Sequence, residues 1–154
     1  MMFQRTNRGD AEKLFVSVLN NEGSAMVVGQ TVQWEPASAS VDGVRVRDVD
    51  TGNLFLFAGI VDAAIAASAY GLIQIYGYRT DALYFQTDTS VATGLPLVPV
   101  AGQRYLNTFA SSFTAASNTT VSVTFAPIFG ALLESVTDQA TSSARATKVF
   151  IRAM

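Results

Sequence analysis

Three aspartates, Asp42, Asp48 and Asp50, lie close enough in the sequence for acid–base chemistry or for a calcium site. Asp42 precedes Gly43, and Asp50 begins an Asp-Thr-Gly triplet, and both contexts are typical of turns. The spacing of an EF-hand loop is not matched, and a second Asp-Thr-Gly triplet, which an aspartic protease would need, is missing from the sequence. Turn geometry explains Asp42 and Asp50, and we predict no metal site at the three aspartates.

The composition removes most other catalytic chemistry. The 154 residues include no histidine and no cysteine, so the chain has no imidazole base, no thiolate nucleophile and no disulfide. The sequence also contains no Gly-x-Ser-x-Gly elbow and no glycine-rich phosphate loop. We therefore predict that the chain is not an enzyme, with no catalytic residues and no cofactor.

The surface is predicted to carry few charges. Charged residues make up 14% of the chain, against about 25% in an ordinary domain, and hydrophobic residues make up 49%. The net charge of -2 provides no basic excess for nucleic acid. Such a surface favours contact with other protein subunits, including copies of the same chain, although Ser, Thr, Asn and Gln side chains could cover it instead.

Aromatic residues offer one further kind of site. Trp34, Tyr70, Tyr76, Tyr78 and Tyr84 could stack on sugar rings if the fold brought them together. The alternative is that they fill a β core, because Trp34 lies in an alternating segment, and Tyr76 and Tyr78 share one face of another. Core packing is the more frequent use of such residues.

The elements that must position these side chains are strands. Turn signals recur about every 8–12 residues without long helices between them, which predicts an all-β fold, a compact antiparallel β-barrel or sandwich with long loops. Residues 1–12 lack periodicity and are predicted to form an extended N-terminal arm, and residues 13–154 a single β domain. Alternation predicts strands at residues 31–34, 44–49 and 120–125, and short apolar runs predict strands at residues 14–19 and 148–152.

The apolar stretch at residues 54–76 is interrupted by polar residues and glycines, so it is predicted to form buried strands at 54–61 and 72–78 rather than a membrane span. The small residues between them, 63–69, are predicted to form a loop. Another short strand is expected at 82–86. The two prolines at 96 and 99 predict an edge strand or an extended connection. Residues 126–134 fit either a strand or a short helix.

Short motifs with glycine run along the first half of the chain. They comprise an Asn-rich turn after the first strand, a Gly29-Gln30 step, Phe57-Ala58-Gly59, and Tyr70-Gly71 followed by Gln74 and Gly77. Through these motifs, two segments of the chain resemble the head decoration proteins, or cement proteins, of tailed phages. The segments are residues 12–36 and residues 51–79. Residues 128–132 and 149–151 are similar to the final strands of that family. The motifs are structural, so no functional residue is carried over.

The resemblance implies a virion structural protein on the outer capsid surface, where it binds the assembled shell, bridges capsomers and stabilises them. The implied partners are the major capsid protein and other copies of the chain, without nucleic acid or membrane. For the interface we predict Phe3, Arg5 and Arg8 in the arm, and Phe109 and Phe113 in the Ser/Thr-rich section.

Two other functions fit the same sequence. One is a glycan-binding or receptor-binding β module on a virion or cell surface, which would use the tyrosines. The other is a structural subunit elsewhere in the virion, in the tail or neck. A glycan array tests the first alternative, and the number of copies per particle tests the second.

Overall fold

A computed structural model describes residues 12–35, 43–50, 54–85, 90–109, 128–137 and 144–153. The predicted all-β fold class is confirmed. The predicted strand at 120–125, most of the Ser/Thr-rich section and all but the last residue of the predicted arm lie outside the described residues. The strands are β1 Lys13–Asn20, β2 Thr31–Trp34, β3 Arg45–Asp48, β4 Phe57–Val61, β5 Tyr70–Tyr84, β6 Pro96–Pro99, β7 Leu106–Thr108, β8 Gly130–Leu132 and β9 Arg145–Arg152.

The strand pairings close two rings of five strands that share β5. The first ring runs β1–β3–β2–β4–β5, and the second ring runs β5–β7–β6–β8–β9. Most of these pairs are antiparallel, as predicted, but β1–β3 and β5–β7 are parallel, so the sheet is mixed. Five strands cannot alternate in direction all the way around a closed ring. Each ring therefore has to contain a parallel pair.

Two apolar cores fill the rings, and β4 lies between them. Phe57 and Ile60 belong to the core of the second ring, whereas Ala58 and Val61 belong to the core of the first. One strand can supply both cores because successive side chains point to opposite faces. A β-bulge opposite Val32 and Gln33 adds one residue to β4, so Phe57 and Ile60 can face the same core although they are three residues apart. All five residues of β4 are consequently buried.

The long strand β5 serves both cores in turn. Ile73 and Ile75 pack in the first core, and Ala82 and Tyr84 pack in the second. The sequence predicts two separate strands here, at 72–78 and 82–86. The structure has one continuous strand instead. Its first half pairs with β1 and β4 of the first ring, and its second half pairs with β9 of the second ring.

The change of core along β5 coincides with a break in its pairing with β1. Leu14 pairs with Tyr76 and Phe15 pairs with Gln74, which leaves one extra residue on β5 between the two partners. An extra residue of this kind is a β-bulge, and it exchanges the faces of the residues that follow. Gly77 comes directly afterwards with φ of +104°.

Two further sequence predictions differ from the structure. The first three residues of the predicted strand at 54–61 form a 3₁₀ turn, Leu54–Leu56. The prediction of an edge at the two prolines is wrong, because β6 pairs with β7 on one side and β8 on the other. The prolines lie at the two ends of β6, where Pro96 still accepts a hydrogen bond from the N–H of Phe109 at 2.9 Å.

Other predictions agree with the structure. Residues 63–69 form a loop, and the segment at 126–134 contains the strand β8 rather than a helix within its described part. No helix in the described ranges is both long enough and apolar enough to span a membrane.

Candidate interaction surface

The aspartates considered for a metal site make structural contacts where the structure describes them. Gln30 donates to the carboxylate of Asp48, and the Nε of Arg104 donates to Oδ2 of the same group at 3.1 Å. The backbone N–H of Asp50 donates to Oε1 of Gln33 at 2.9 Å. Asp42 lies outside the described residues. Within the part of the chain that the structure describes, no group of three or more acidic, histidine or cysteine side chains could hold a metal ion.

A polar cluster lies where the two rings meet, with Arg79 and Gln74 buried and the carboxylates of Asp62 and Asp81 partly exposed. The guanidinium of Arg79 lies 3.2 Å from Oδ1 of Asp62 and 2.6 Å from Oδ1 of Asp81. It also donates to Oε1 of Gln74 at 3.4 Å, and the amide of Gln74 donates to two carbonyl oxygens of its own strand. Two carboxylates neutralise the buried cation. The cluster therefore stabilises the junction between the rings.

The five aromatic residues considered for sugar stacking do not form one platform. Trp34 and Tyr76 pack against the first core, and Tyr84 is fully buried in the second. Tyr70 is 69% exposed on the outside of the first ring, and Tyr78 is half-buried on the outside of the second. These aromatic side chains are distributed over both rings, and the structure does not bring the five together into one aromatic cage.

An apolar belt runs around the outside of the second ring. Pro96 pairs with Ala131, Ala131 with Phe150, and Phe150 with Tyr78. Phe109 adds a fifth member through its hydrogen bond to Pro96. Residues paired across antiparallel strands share a face, and the next residues along β6, β8 and β9 fill the second core. The belt therefore faces outward, with its five side chains half-buried.

A groove of about 410 Å³ lies beside the belt. Ile128, Gly130, Ala131, Phe150 and Arg152 line it. The side chain of Ile128 is 57% exposed. The ring of Phe150 packs against Tyr76 in a T-shaped arrangement, with ring centroids 5.2 Å apart. Arg152 is exposed and makes no ion pair with any described residue. The groove thus combines apolar walls with one available cation.

The first ring has an apolar surface of its own, which we call the outer ladder. It consists of Phe15, Ser17 and Leu19 on β1 and of Tyr70 and Leu72 on β5. Ser17 pairs with Leu72, and Leu19 pairs with Tyr70, so these side chains share the face that points away from the first core. Leu72 is 47% exposed. The outer ladder contains no charged residue.

One of the five predicted interface residues can be placed. Phe109 is half-buried and belongs to the belt. Phe3, Arg5, Arg8 and Phe113 lie outside the described residues, so their part in an interface stays a prediction.

The sequence analysis did not single out Phe150, Pro96 or Ile128 for this surface. A signal for Phe150 was present, because Val149 and Ile151 alternate with it and point into the core. An aromatic residue between two core positions of a strand must face outward. Pro96 and Ile128 had no comparable signal, because their places in the belt and groove depend on pairing between β6, β8 and β9.

The belt, the groove and the outer ladder share one chemistry, which is an apolar outer face with few charges. Such a face is suited to binding another protein surface. Comparison with protein-family models and with curated protein sequences finds no match for the chain.

Proposed function

We propose that the chain is a structural protein of a virus particle, a decoration protein that binds the outside of the capsid shell and bridges neighbouring capsomers. The observation that carries this proposal is the belt, because five apolar residues from different segments line up across the outside of a closed ring. The resemblance of the sequence motifs to phage head decoration proteins supports the same function. Its partners are then the major capsid protein and other copies of the chain, at the outer surface of the virion.

The groove suggests what the partner surface looks like. Burial of apolar area contributes about 25 cal/mol per Å², so Ile128 and Phe150 favour an apolar side chain of the partner. Arg152 favours a carboxylate beside it, because an exposed guanidinium binds carboxylates with defined geometry. The partner of this proposal is therefore an apolar protein surface with an acidic residue at its margin.

The belt is small for a stable contact by a single copy. A specific interface between two proteins buries about 1,200–2,000 Å² in total, and the five belt residues are already half-buried. Many copies on one shell compensate for a modest contact energy at each site, since every copy that bridges two capsomers gains avidity. The low charge of the chain, 14% of its residues, limits repulsion between crowded copies.

Binding to shells tests the proposal. The probe is a preparation of capsid shells from the virus that encodes the chain, grown without the gene for the chain. We expect the purified protein to sediment with these shells at a fixed number of copies per capsomer and to raise the temperature at which they rupture. We expect Ile128→Asp to lower occupancy at least tenfold, because it places a carboxylate in the apolar wall of the groove.

A matched control lies on the same face of β9. Ala146 is exposed and sits outside the belt, so Ala146→Asp adds the same charge without altering the groove. We expect its occupancy to equal that of the unmodified protein. If the unmodified protein fails to sediment with the shells, the proposed function is wrong. If both variants bind equally well, the shell contact lies elsewhere than in the groove.

The predicted contact of the arm is tested on the same shells. Removal of residues 1–10 deletes Phe3, Arg5 and Arg8 and none of the residues in the two cores. We expect lower occupancy with an unchanged melting temperature. Unchanged occupancy would exclude the arm from the interface and leave the belt as the shell contact. Labelling of whole particles distinguishes the shell from the tail, and a glycan array tests the receptor-binding alternative.

A further inference from the structure

The outer ladder of the first ring has an acidic residue at its margin. The N–H of Asp62 donates to the C=O of Leu72 at 3.0 Å, one residue after the last pair of β4 and β5. Residues opposite each other on neighbouring antiparallel strands share a face. The side chain of Asp62, which is 41% exposed, therefore lies beside Leu72 on the outside of the first ring. Tyr70, the other ladder residue on β5, is 69% exposed.

The carboxylate at this margin belongs to a trio with a net negative charge. The guanidinium of Arg79 lies 3.2 Å from Oδ1 of Asp62 and 2.6 Å from Oδ1 of Asp81. One positive and two negative charges leave the trio with a single net negative charge. The side chain of Arg79 is 4% exposed, whereas those of Asp62 and Asp81 are 41% and 44% exposed. The negative groups of the trio therefore face outward, where they attract a cation of another molecule.

The groove beside the belt carries the opposite charge. Arg152 is exposed and forms no ion pair with the residues that the structure describes. Phe150 lies two residues earlier on the same face of β9, about 7 Å away along the strand, and Ile128 adds to the apolar wall. On the outer ladder, Leu72 and Asp62 lie about 5 Å apart across their strands. Each surface thus places an apolar side chain next to a charge, and the two charges are opposite.

We propose that the groove binds the outer ladder of a second copy of this chain. The apolar residues of the ladder pack against the apolar wall of the groove, and Asp62 forms an ion pair with the partner subunit's Arg152. The groove of about 410 Å³ lies within the 300–1,000 Å³ or so of pockets that hold a drug-sized molecule, so one large side chain such as Tyr70 fits inside it. This inference names the partner of the groove, and it rests on the proposed function for the groove's role as a protein contact.

A second copy is favoured as the occupant because the chain itself meets both requirements of the groove. The groove favours an apolar surface with a carboxylate at its margin, and the outer ladder with Asp62 is such a surface on the other ring. The ladder and the groove share no residue, so one copy can use both at the same time. A contact between two different surfaces can repeat from copy to copy, which builds closed assemblies or continuous chains. Copies on a capsid shell are then joined to one another as well as to the shell.

The contact is small, so its affinity in solution should be low. Only a few side chains on each surface take part, and the buried area is therefore below the 1,200 Å² or so of a standard interface. We expect a dissociation constant of roughly 0.1 mM, and crowding on a surface raises the local concentration above this value. Sedimentation velocity of the purified chain between about 10 µM and about 1 mM measures the association without shells.

Two single variants each block one of the two surfaces. Leu72→Lys places a cation on the outer ladder, opposite the partner's Arg152. Arg152→Glu places an anion in the groove, opposite the partner's Asp62. Because like charges then meet, we expect each variant alone to associate about tenfold or more weakly than the unmodified protein. Leu72 and Arg152 are both exposed, so the melting temperature should not change.

An equimolar mixture of the two variants provides the decisive test. The new lysine of one variant then meets the new glutamate of the other, and the second contact keeps the native pair of Asp62 and Arg152. We expect the mixture to associate within about threefold of the unmodified protein. Leu133→Lys is the matched control, since Leu133 is 41% exposed and lies beside Lys148, four residues along β9 from Arg152. This control should associate as well as the unmodified protein.

The proposal is overturned if the unmodified protein stays monomeric at about 1 mM, or if the mixture associates no better than each variant alone. Association that both variants leave unchanged would also overturn it, because the contact would then use other surfaces. Shell binding is scored separately. A protein that sediments with shells but stays monomeric without them would keep the proposed function and refute this contact. A protein that associates as described but does not bind shells supports this contact and refutes the proposed function.

Discussion

Gly77 is the residue at which β5 leaves the first core for the second. Its φ of +104° is a conformation that side chains other than glycine rarely adopt, and a Cβ at this position would lie 1.9 Å from the carbonyl oxygen of Glu12. The position therefore excludes a side chain for two separate reasons, backbone strain and lack of space. The two reasons can be separated by experiment.

We predict that Gly77→Ala lowers the free energy of unfolding by about 3 kcal/mol, through strain and a clash with backbone that cannot move aside. Gly94 is the control, because its φ of +90° is similar but no atom lies within 4 Å of a Cβ there. Gly94→Ala should cost about 1 kcal/mol, from strain alone. Urea unfolding measures both values, and equal losses would show that space at Gly77 is not limiting.

Tyr84 makes stability depend on pH at the alkaline end. Burial raises the pKa of its phenol, while a hydrogen bond with Thr108 and the charge of Arg145 lower that pKa by less. The unfolded chain therefore ionises at lower pH than the folded chain and binds fewer protons in the alkaline range. By linkage, the free energy of unfolding is unaffected by this group well below its ordinary pKa of 10.0 and falls as the pH rises through that value.

We predict that the free energy of unfolding of the unmodified protein falls more steeply above pH 10 than that of Tyr84→Phe. One phenol contributes a slope of at most about 1.4 kcal/mol per pH unit. The substitution also removes the hydrogen bond to Thr108, which shifts the whole curve by about 1 kcal/mol without changing its slope. Urea titrations between pH 8 and pH 11 give both curves, and parallel curves would contradict the prediction.

At the scale of elements, local alternation was enough to locate the strands that have one face in a core. It predicted β2 and β3 to within a few residues, whereas β1 and β9 were predicted from short apolar runs. The same reasoning was less informative for β4, whose two faces meet different cores. There the apolar run showed burial, but not that the first three residues of the run form a 3₁₀ turn.

The error at β6 has a related cause. Proline has no backbone N–H to donate, so a proline in a strand predicts, from sequence, that the strand lies at the edge of a sheet. The two prolines end a strand of four residues, so Leu97 and Val98 still pair on the inside of the sheet. The belt could not be predicted from local sequence either, because its pairing joins segments that are far apart in the chain. Only one of its members, Phe109, was predicted as an interface residue.

At the scale of the whole molecule, the shared strand β5 should make the two rings unfold together. Ile73 lies in the first core and Leu97 in the second, and both are fully buried. We predict that Ile73→Ala and Leu97→Ala each cost about 3 kcal/mol and each lower the midpoint of one common transition. This result is also what the predicted single domain at residues 13–154 requires.

Differential scanning calorimetry checks this prediction. A single peak whose calorimetric and van't Hoff enthalpies agree indicates one cooperative unit. Two peaks, with Ile73→Ala moving one and Leu97→Ala moving the other, would mean that the rings are independent and that the chain comprises two domains. The polar cluster around Arg79 lies at the junction and favours the cooperative outcome.

The position of β4 between two cores also limits how natural variants of this protein can diverge. A strand with one solvent-exposed face can exchange half of its residues freely. In β4, by contrast, the four side chains each fill space in one of the two cores, and a Cβ at Gly59 would lie 2.5 Å from the carbonyl oxygen of Gln74. A larger residue at Ala58 must be matched by a loss of volume in the first ring, and a smaller one at Ile60 by a gain in the second. Deep mutational scanning should therefore find these five consecutive positions less permissive than any exposed stretch of equal length, with rescuing second-site changes divided between the two rings.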